Sequence, residues 1–149
     1  MIQPAPTSKI DATIARGTFL SAAAPTATAP AHIVVTFPNT NYELHLIPVG
    51  EGAPSLGTPG KRVLGRISAR ARRVDKVQTG GRFVEPVFGR PRRVQGSILA
   101  INAGARTITV DAGVPIECLL TDQRQSPAQF VVGDFVSFDV MDGATFRRA

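Results

Sequence analysis

Between positions 61 and 93 the chain carries eleven basic side chains, Lys61, Arg62, Arg66, Arg70, Arg72, Arg73, Lys76, Arg82, Arg90, Arg92 and Arg93, against only Asp75 and Glu85. Nine of the eleven are arginine, whose planar fork binds phosphate or carboxylate at two points and stacks on flat rings; lysine is a compact, strongly hydrated point charge. The segment is +9, whereas residues 1–60 come to −1 and residues 94–149 to −2, within a formal net charge of +6. Basic residues spread evenly would serve solubility; gathered into one segment, they would attract a polyanion through counterion release. Phe83 and Phe88, in a glycine-flanked stretch, and Tyr42 would add stacking surfaces of the kind single-strand binders use. Aromatic content of 6% and the absence of tryptophan are sparse for a reader of bases. The arginines admit two plainer uses: a solvated strand face, or ion pairs with the acidic C-terminal half of this chain or a neighbouring copy.

Other chemistries find less support. His32 and His45 lack the short spacing of a zinc site, and a single cysteine, Cys118, leaves no thiolate pair and no intramolecular disulfide. Within the apolar run 116–120 that cysteine reads as a small buried hydrophobe. Asp134 and Asp139 differ by five positions, so on one strand they point to opposite faces, and no hard-cation site is expected. There is no Gly-x-Ser-x-Gly elbow, no phosphate-binding Gly-x-x-x-x-Gly-Lys and no carboxylate pair spaced to share a proton. No catalytic residue, metal or cofactor is expected from sequence, although an active site assembled from distant residues is recognised only by geometry.

The elements that would position the arginines are strands. From 62 to 72 the pattern alternates, with Val63, Gly65, Ile67, Ala69 and Ala71 on one face and Arg62, Leu64, Arg66, Ser68, Arg70 and Arg72 on the other. Period two marks a half-buried strand. Arg66, Arg70 and Arg72 would share its outer surface, joined by Arg90, Arg92 and Arg93 on a neighbouring strand after the Gly89-Arg90-Pro91 turn, with Arg82 nearby. The phase slips at Arg73 and Val74, as a β-bulge would make it, ahead of a hairpin turn at Gly80-Gly81. Weaker alternation at 10–14, 33–37, 42–46, 94–100, 107–110, 116–120 and 135–140 brings the total to about eight strands, with Asp142-Gly143 as a turn after the last. Connectors at 49–60 and 121–128 are polar or rich in Gly and Pro, and no capped helical pattern lasts three turns.

Two internal similarities bear on architecture. Residues 33–46 and 60–67 align with 108–120 and 133–140 at an offset drifting from 75 to 73, and the strand near Ile14 precedes Ile33 as the strand near Ile98 precedes Ile108. A shorter match sets Val63-x-Gly65-x-Ile67-x-Ala69 against Val94-x-Gly96-x-Ile98-x-Ala100 over seven residues, and it weighs less. The longer one predicts two four-strand halves, divided as a flexible N-terminus at 1–8, an N-terminal half at 9–75, a basic connecting hairpin at 76–92, a C-terminal half at 93–146 and a tail at 147–149, or a single barrel throughout. Closing the halves into antiparallel barrels would remove their exposed edges.

The run Gly96 to Ile101, Thr107 to Val110 and Val132-Gly133-Asp134-Phe135-Val136 resembles small OB-like or SH3-like β-barrel domains of bacteria, over roughly the last 55 residues. Gly80 to Pro86 together with Gly133 to Val136 and Asp142 to Phe146 look like an uncharacterised bacterial protein family, which supplies no activity to carry over. The expectation is therefore an all-β, non-enzymatic binding module that engages single-stranded nucleic acid or RNA through Arg66, Arg70, Arg72, Arg82, Phe83, Phe88, Arg90, Arg92 and Arg93. The alternatives are an acidic protein partner, or a structural protein that self-associates through strand edges. No stretch has the ~18–20 apolar residues of a bilayer span. The tract 17–31 imitates a signal peptide but has only Phe19 and Leu20 as bulky residues and is broken by prolines, so a cytoplasmic location without membrane contact is expected.

Overall fold

A computed structural model describes residues 11–50, 58–78 and 80–149. The chain is all-β. In order the strands are β1 (Ala15–Ala23), β2 (His32–Thr36), β3 (Glu43–Val49), β4 (Arg62–Ala71), β5 (Asp75–Lys76), β6 (Phe83–Glu85), β7 (Phe88–Gly89), β8 (Arg93–Asn102), β9 (Thr107–Asp111), β10 (Pro115–Leu120), β11 (Phe135–Asp139) and β12 (Thr145–Arg148), with a single 3-10 turn at Pro127–Gln129. Among the described residues twelve strands replace the expected eight or so, and all belong to one multi-stranded sheet. None of the described residues forms a helix long and apolar enough to cross a membrane.

Strands β1, β2 and β3 form an antiparallel meander. β12 then pairs parallel to β3 and antiparallel to β4, and β4 pairs antiparallel to β1, so this path of hydrogen bonds returns to its start. Strands β8, β9 and β10 repeat the meander; β10 pairs parallel to the C-terminal part of β4, and β11 pairs antiparallel to β8. A bridge between Ala71 and Val140 closes this second circuit. The similar halves thus exchange their last segments: β4 of the first completes the second, and β12 of the second completes the first.

Alternation in β4 follows the sequence pattern, with Val63, Gly65, Ile67, Ala69 and Ala71 buried and Arg62, Leu64 and Arg70 exposed. One hydrophobic cluster runs through both circuits, from Ala15 and Phe19 to Phe138 and Phe146. Two inward glycines admit close neighbours. A Cβ on Gly65 would stand 2.5 Å from the Phe146 ring and from the Arg147 carbonyl oxygen, and one on Gly96 would collide with the Asp111 carbonyl. Tyr42, also buried, bridges two backbones: its hydroxyl donates to the Ala112 carbonyl at 2.8 Å and accepts from the Val84 N–H at 3.0 Å. That use removes it from the stacking candidates.

Several local expectations are corrected. The strand expected at 10–14 starts at Ala15, after a turn in which the Ile14 N–H donates to Asp11, and β1 occupies much of the tract that imitated a signal peptide. Instead of a bulge, β4 ends at Ala71. Val74 turns inward, its N–H and carbonyl both satisfied by the Gln125 side-chain amide at 2.8 and 2.7 Å. Gly80-Gly81 does not close a hairpin, because β5 pairs with β11 and β6 with β8. Asp142-Gly143 precedes a further strand, and the supposed tail supplies Arg147 and Arg148 to it. The expected flexible segment 1–8 and part of the connector 49–60 lie outside the described residues.

Candidate functional site

The link between β11 and β12 is clamped between two basic segments. The Arg72 N–H donates to the Asp139 carbonyl at 2.8 Å, the Met141 N–H to the Arg70 carbonyl at 2.8 Å, and the Val140 N–H to the Arg92 carbonyl at 2.9 Å. This backbone lacing brings Arg70, Arg72, Arg90, Arg92 and Arg93 around one turn. Arg93 is on β8, which pairs with β11 rather than with β4, so the arginines converge across β11 and not on adjacent strands as the sequence suggested.

Their charge is partly balanced. Arg90 donates to the Asp142 carboxylate at 2.8 Å, Arg70 to the Asp142 carbonyl at 2.9 Å, and Arg93 to Asp139 at 2.8 Å and to the Ser137 hydroxyl at 2.9 Å. Arg72 and Arg92 line a groove of about 450 Å³ with Arg93, Asp139, Val140 and Asp142. Among the described residues neither makes an ion pair or a side-chain hydrogen bond. Five guanidinium groups against the carboxylates of Asp139, Asp142 and Glu85, the last set opposite Arg93 by β6, leave the neighbourhood net positive. The ion pairs are solvent-facing, and such pairs contribute only about 0.2–1 kcal/mol.

Flat rings stand beside this cluster. His32 on β2 and His45 on β3 stack with centroids 4.8 Å apart and planes 12° from parallel, and the Phe88 ring meets His45 edge-on at 5.7 Å. Phe88 is 61% exposed, held out by the two-residue pairing of β7 with β3. A pocket of about 150 Å³ joins the parts. It is lined by Pro30 of the β1–β2 connection, by His32, His45 and Ile47 on the outer face of β2–β3, and by Arg90 and Asp142. Burial, together with the neighbouring His32, holds the His45 imidazole below its ordinary titration range.

Three expected site residues fall elsewhere. Arg66 donates to the Thr13 hydroxyl at 2.7 Å and lies 3.5 Å from Asp11, in the turn before β1. Arg82 approaches Asp111 at 3.7 Å and Ser97 at 3.4 Å, and Phe83 sits half-buried opposite Gln95 on β8. From sequence the histidines read as a pair of surface residues flanking the 33–46 hairpin, without metal-site spacing and with no stacking role. The pairing of Val34 with His45 sets them on one outer face, and the hairpin register was the signal that would have found them. Cys118 is fully buried, which pushes its thiol well above the ordinary range and removes it from nucleophilic chemistry.

No family model, curated protein or solved structure matches this chain.

Proposed function

We propose that this protein is a non-enzymatic module that binds single-stranded nucleic acid, DNA or RNA, with Arg70, Arg72, Arg90, Arg92 and Arg93 on the phosphates and Phe88, His45 and His32 offering stacking surfaces to bases. The observation that carries this reading is the convergence of five arginines from two chain segments beside an exposed aromatic ring. Basic grooves lined with stacking rings bind single strands with little sequence preference, because every base has a π-face. The strand circuit supports the same reading. We read the meander of three strands, with β12 parallel to β3 and β4 antiparallel to β1, as an OB-like circuit, and OB barrels bind oligonucleotides on the face of strands 2 and 3 and the loops beside it. In the N-terminal circuit that face is β2–β3, where His32 and His45 stand.

The alternative of self-association through strand edges has less to work with. β2, β9 and β10 are paired on both sides over nearly their whole length, and the other strands of five residues or more over part of it: β1 meets β2 over Thr18–Ala23 and β4 over Ala15–Thr18, and β11 meets β5 only at Val136 and Ser137. An acidic protein partner would use the same arginines but has no use for the rings.

Fluorescence anisotropy with labelled single-stranded DNA, RNA and duplex DNA at about 50 and 200 mM salt tests the proposal. Single strands should bind more tightly than duplex, weaken steeply with salt, and lose affinity with Arg72→Ser/Arg92→Ser. Absence of binding at the lower salt would overturn it.

A further inference from the structure

We propose that the bound strand runs beyond the arginine cluster along the outer face of β4, past Arg147 on β12, and into a cleft at the paired ends of β1 and β4, with Arg147 beside the stripe and Arg16 and Arg62 at the cleft holding further phosphates. This rests on the nucleic-acid reading above and extends its footprint to a surface outside the Phe88 site.

Alternation sets Arg62, Leu64, Arg66, Ser68 and Arg70 on one face of β4, so the stripe that ends at the cluster begins eight residues earlier. At about 3.3 Å per residue it is roughly 26 Å long. Neighbouring strands widen it: β1 sets Arg16 opposite Leu64, and β12 sets Arg147 opposite Arg66. Of these, Arg66 has Thr13 and Asp11 as partners. Arg16, Arg62 and Arg147 have neither an ion pair nor a side-chain hydrogen bond among the described residues. Like charges directly opposite across a strand pair destabilise a sheet, and an anion lying between them removes that repulsion. The acid nearest the stripe on β10 is Glu117, opposite Ser68, where no arginine stands.

At the far end the stripe opens into a cleft of about 640 Å³, with Arg16 and Arg62 at its sides and Phe37, Pro38 and Leu64 among its apolar lining. Leu64 is 49% exposed at the centre of the arginines. A nucleotide matches both parts, with phosphate on the guanidinium groups and a base against the apolar wall; a purely acidic peptide has nothing for the wall.

The test uses the full chain with oligothymidylates of about 4, 8 and 16 nucleotides, the range of footprints on OB-type barrels. Affinity should rise by roughly tenfold or more from the shortest to the longest as phosphates are added. In Arg16→Ser/Arg62→Ser/Arg147→Ser that rise should vanish while the shortest oligomer binds as before. The slope of log affinity against log salt for the longest should flatten by about 0.7 per lost phosphate contact, about 2 in all. Should the triple variant melt early, Arg62→Ser alone, at the exposed start of β4, reads a single step of about 0.7. An unchanged length dependence and slope in the variants would overturn the track and leave the Phe88 site standing. Absence of binding to every length by the unmodified protein would instead overturn the functional reading itself.

Discussion

An exposed guanidinium already hydrogen-bonded to a carboxylate is oriented but hardly neutralised, because water screens the pair. Arg90 and Arg93 are in that state, aimed by Asp142 and Asp139, and the same carboxylates would repel a phosphate bound as proposed. Asp142→Asn keeps an oxygen for the Gly143 N–H and removes the repulsion. It should therefore tighten single-strand binding about two- to fivefold at low salt, an effect of well under 1.4 kcal/mol, the tenfold mark; weaker binding in anisotropy would mean that the carboxylate is needed to hold the site open. His45 gives the site a pH signature. Its folded value is depressed below the ordinary 6.5, so the unfolded chain takes up the proton first, and stability contributed by the neutral ring is full above that pH and declines as pH falls from 6.5 through the folded value. Chemical denaturation at a series of pH values should show this decline and lose it in His45→Gln. A bound polyanion favours the charged imidazole and should raise its titration midpoint, read from the ring proton signals.

At the scale of elements, β4 was the most legible feature, because ten residues of unbroken alternation admit one phase, and that phase also fixed which arginines face outward. β12 was not legible. Four residues, two of them arginine, carry no pattern by themselves, and their place is set by Phe146, which enters the core where Gly65 leaves room. β5, β6 and β7 are likewise too short for a period, and each exists because a longer strand offers it an unpaired flank. Missing β12 also hid Arg147, and reading β1 five residues early left Arg16 off the strand beside β4. Gly65→Ala tests the β4–β12 contact. A methyl 2.5 Å from ring and backbone forces one strand aside, and overpacking of this kind costs about 1–3 kcal/mol. Thermal unfolding should shift down accordingly, and an unchanged transition would show that β12 is not packed as described.

For the whole molecule, the internal similarity of residues 33–67 and 108–140 was visible in the sequence and predicted two four-strand halves; that they would complete one another was not. Exchange of β4 and β12 is a long-range pairing that no local pattern encodes, yet it closes both strand circuits and laces the β11–β12 turn to both basic segments. The charge asymmetry was equally visible, but its meaning depended on this lacing. It gathers Arg70, Arg72, Arg90, Arg92 and Arg93 and sends Arg66 and Arg82 to acids elsewhere. The most direct test is two-dimensional NMR of the side chains during titration with a single strand of about 4 nucleotides, short enough to stay on the Phe88 site. Shifts should concentrate on the Phe88, His32 and His45 rings and the Arg70, Arg72 and Arg90 guanidinium groups, leaving Arg82 and its neighbour Ser97 unmoved. Shifts confined to Arg82 and Ser97, or none at saturating oligonucleotide, would contradict the assignment of this surface to nucleic acid.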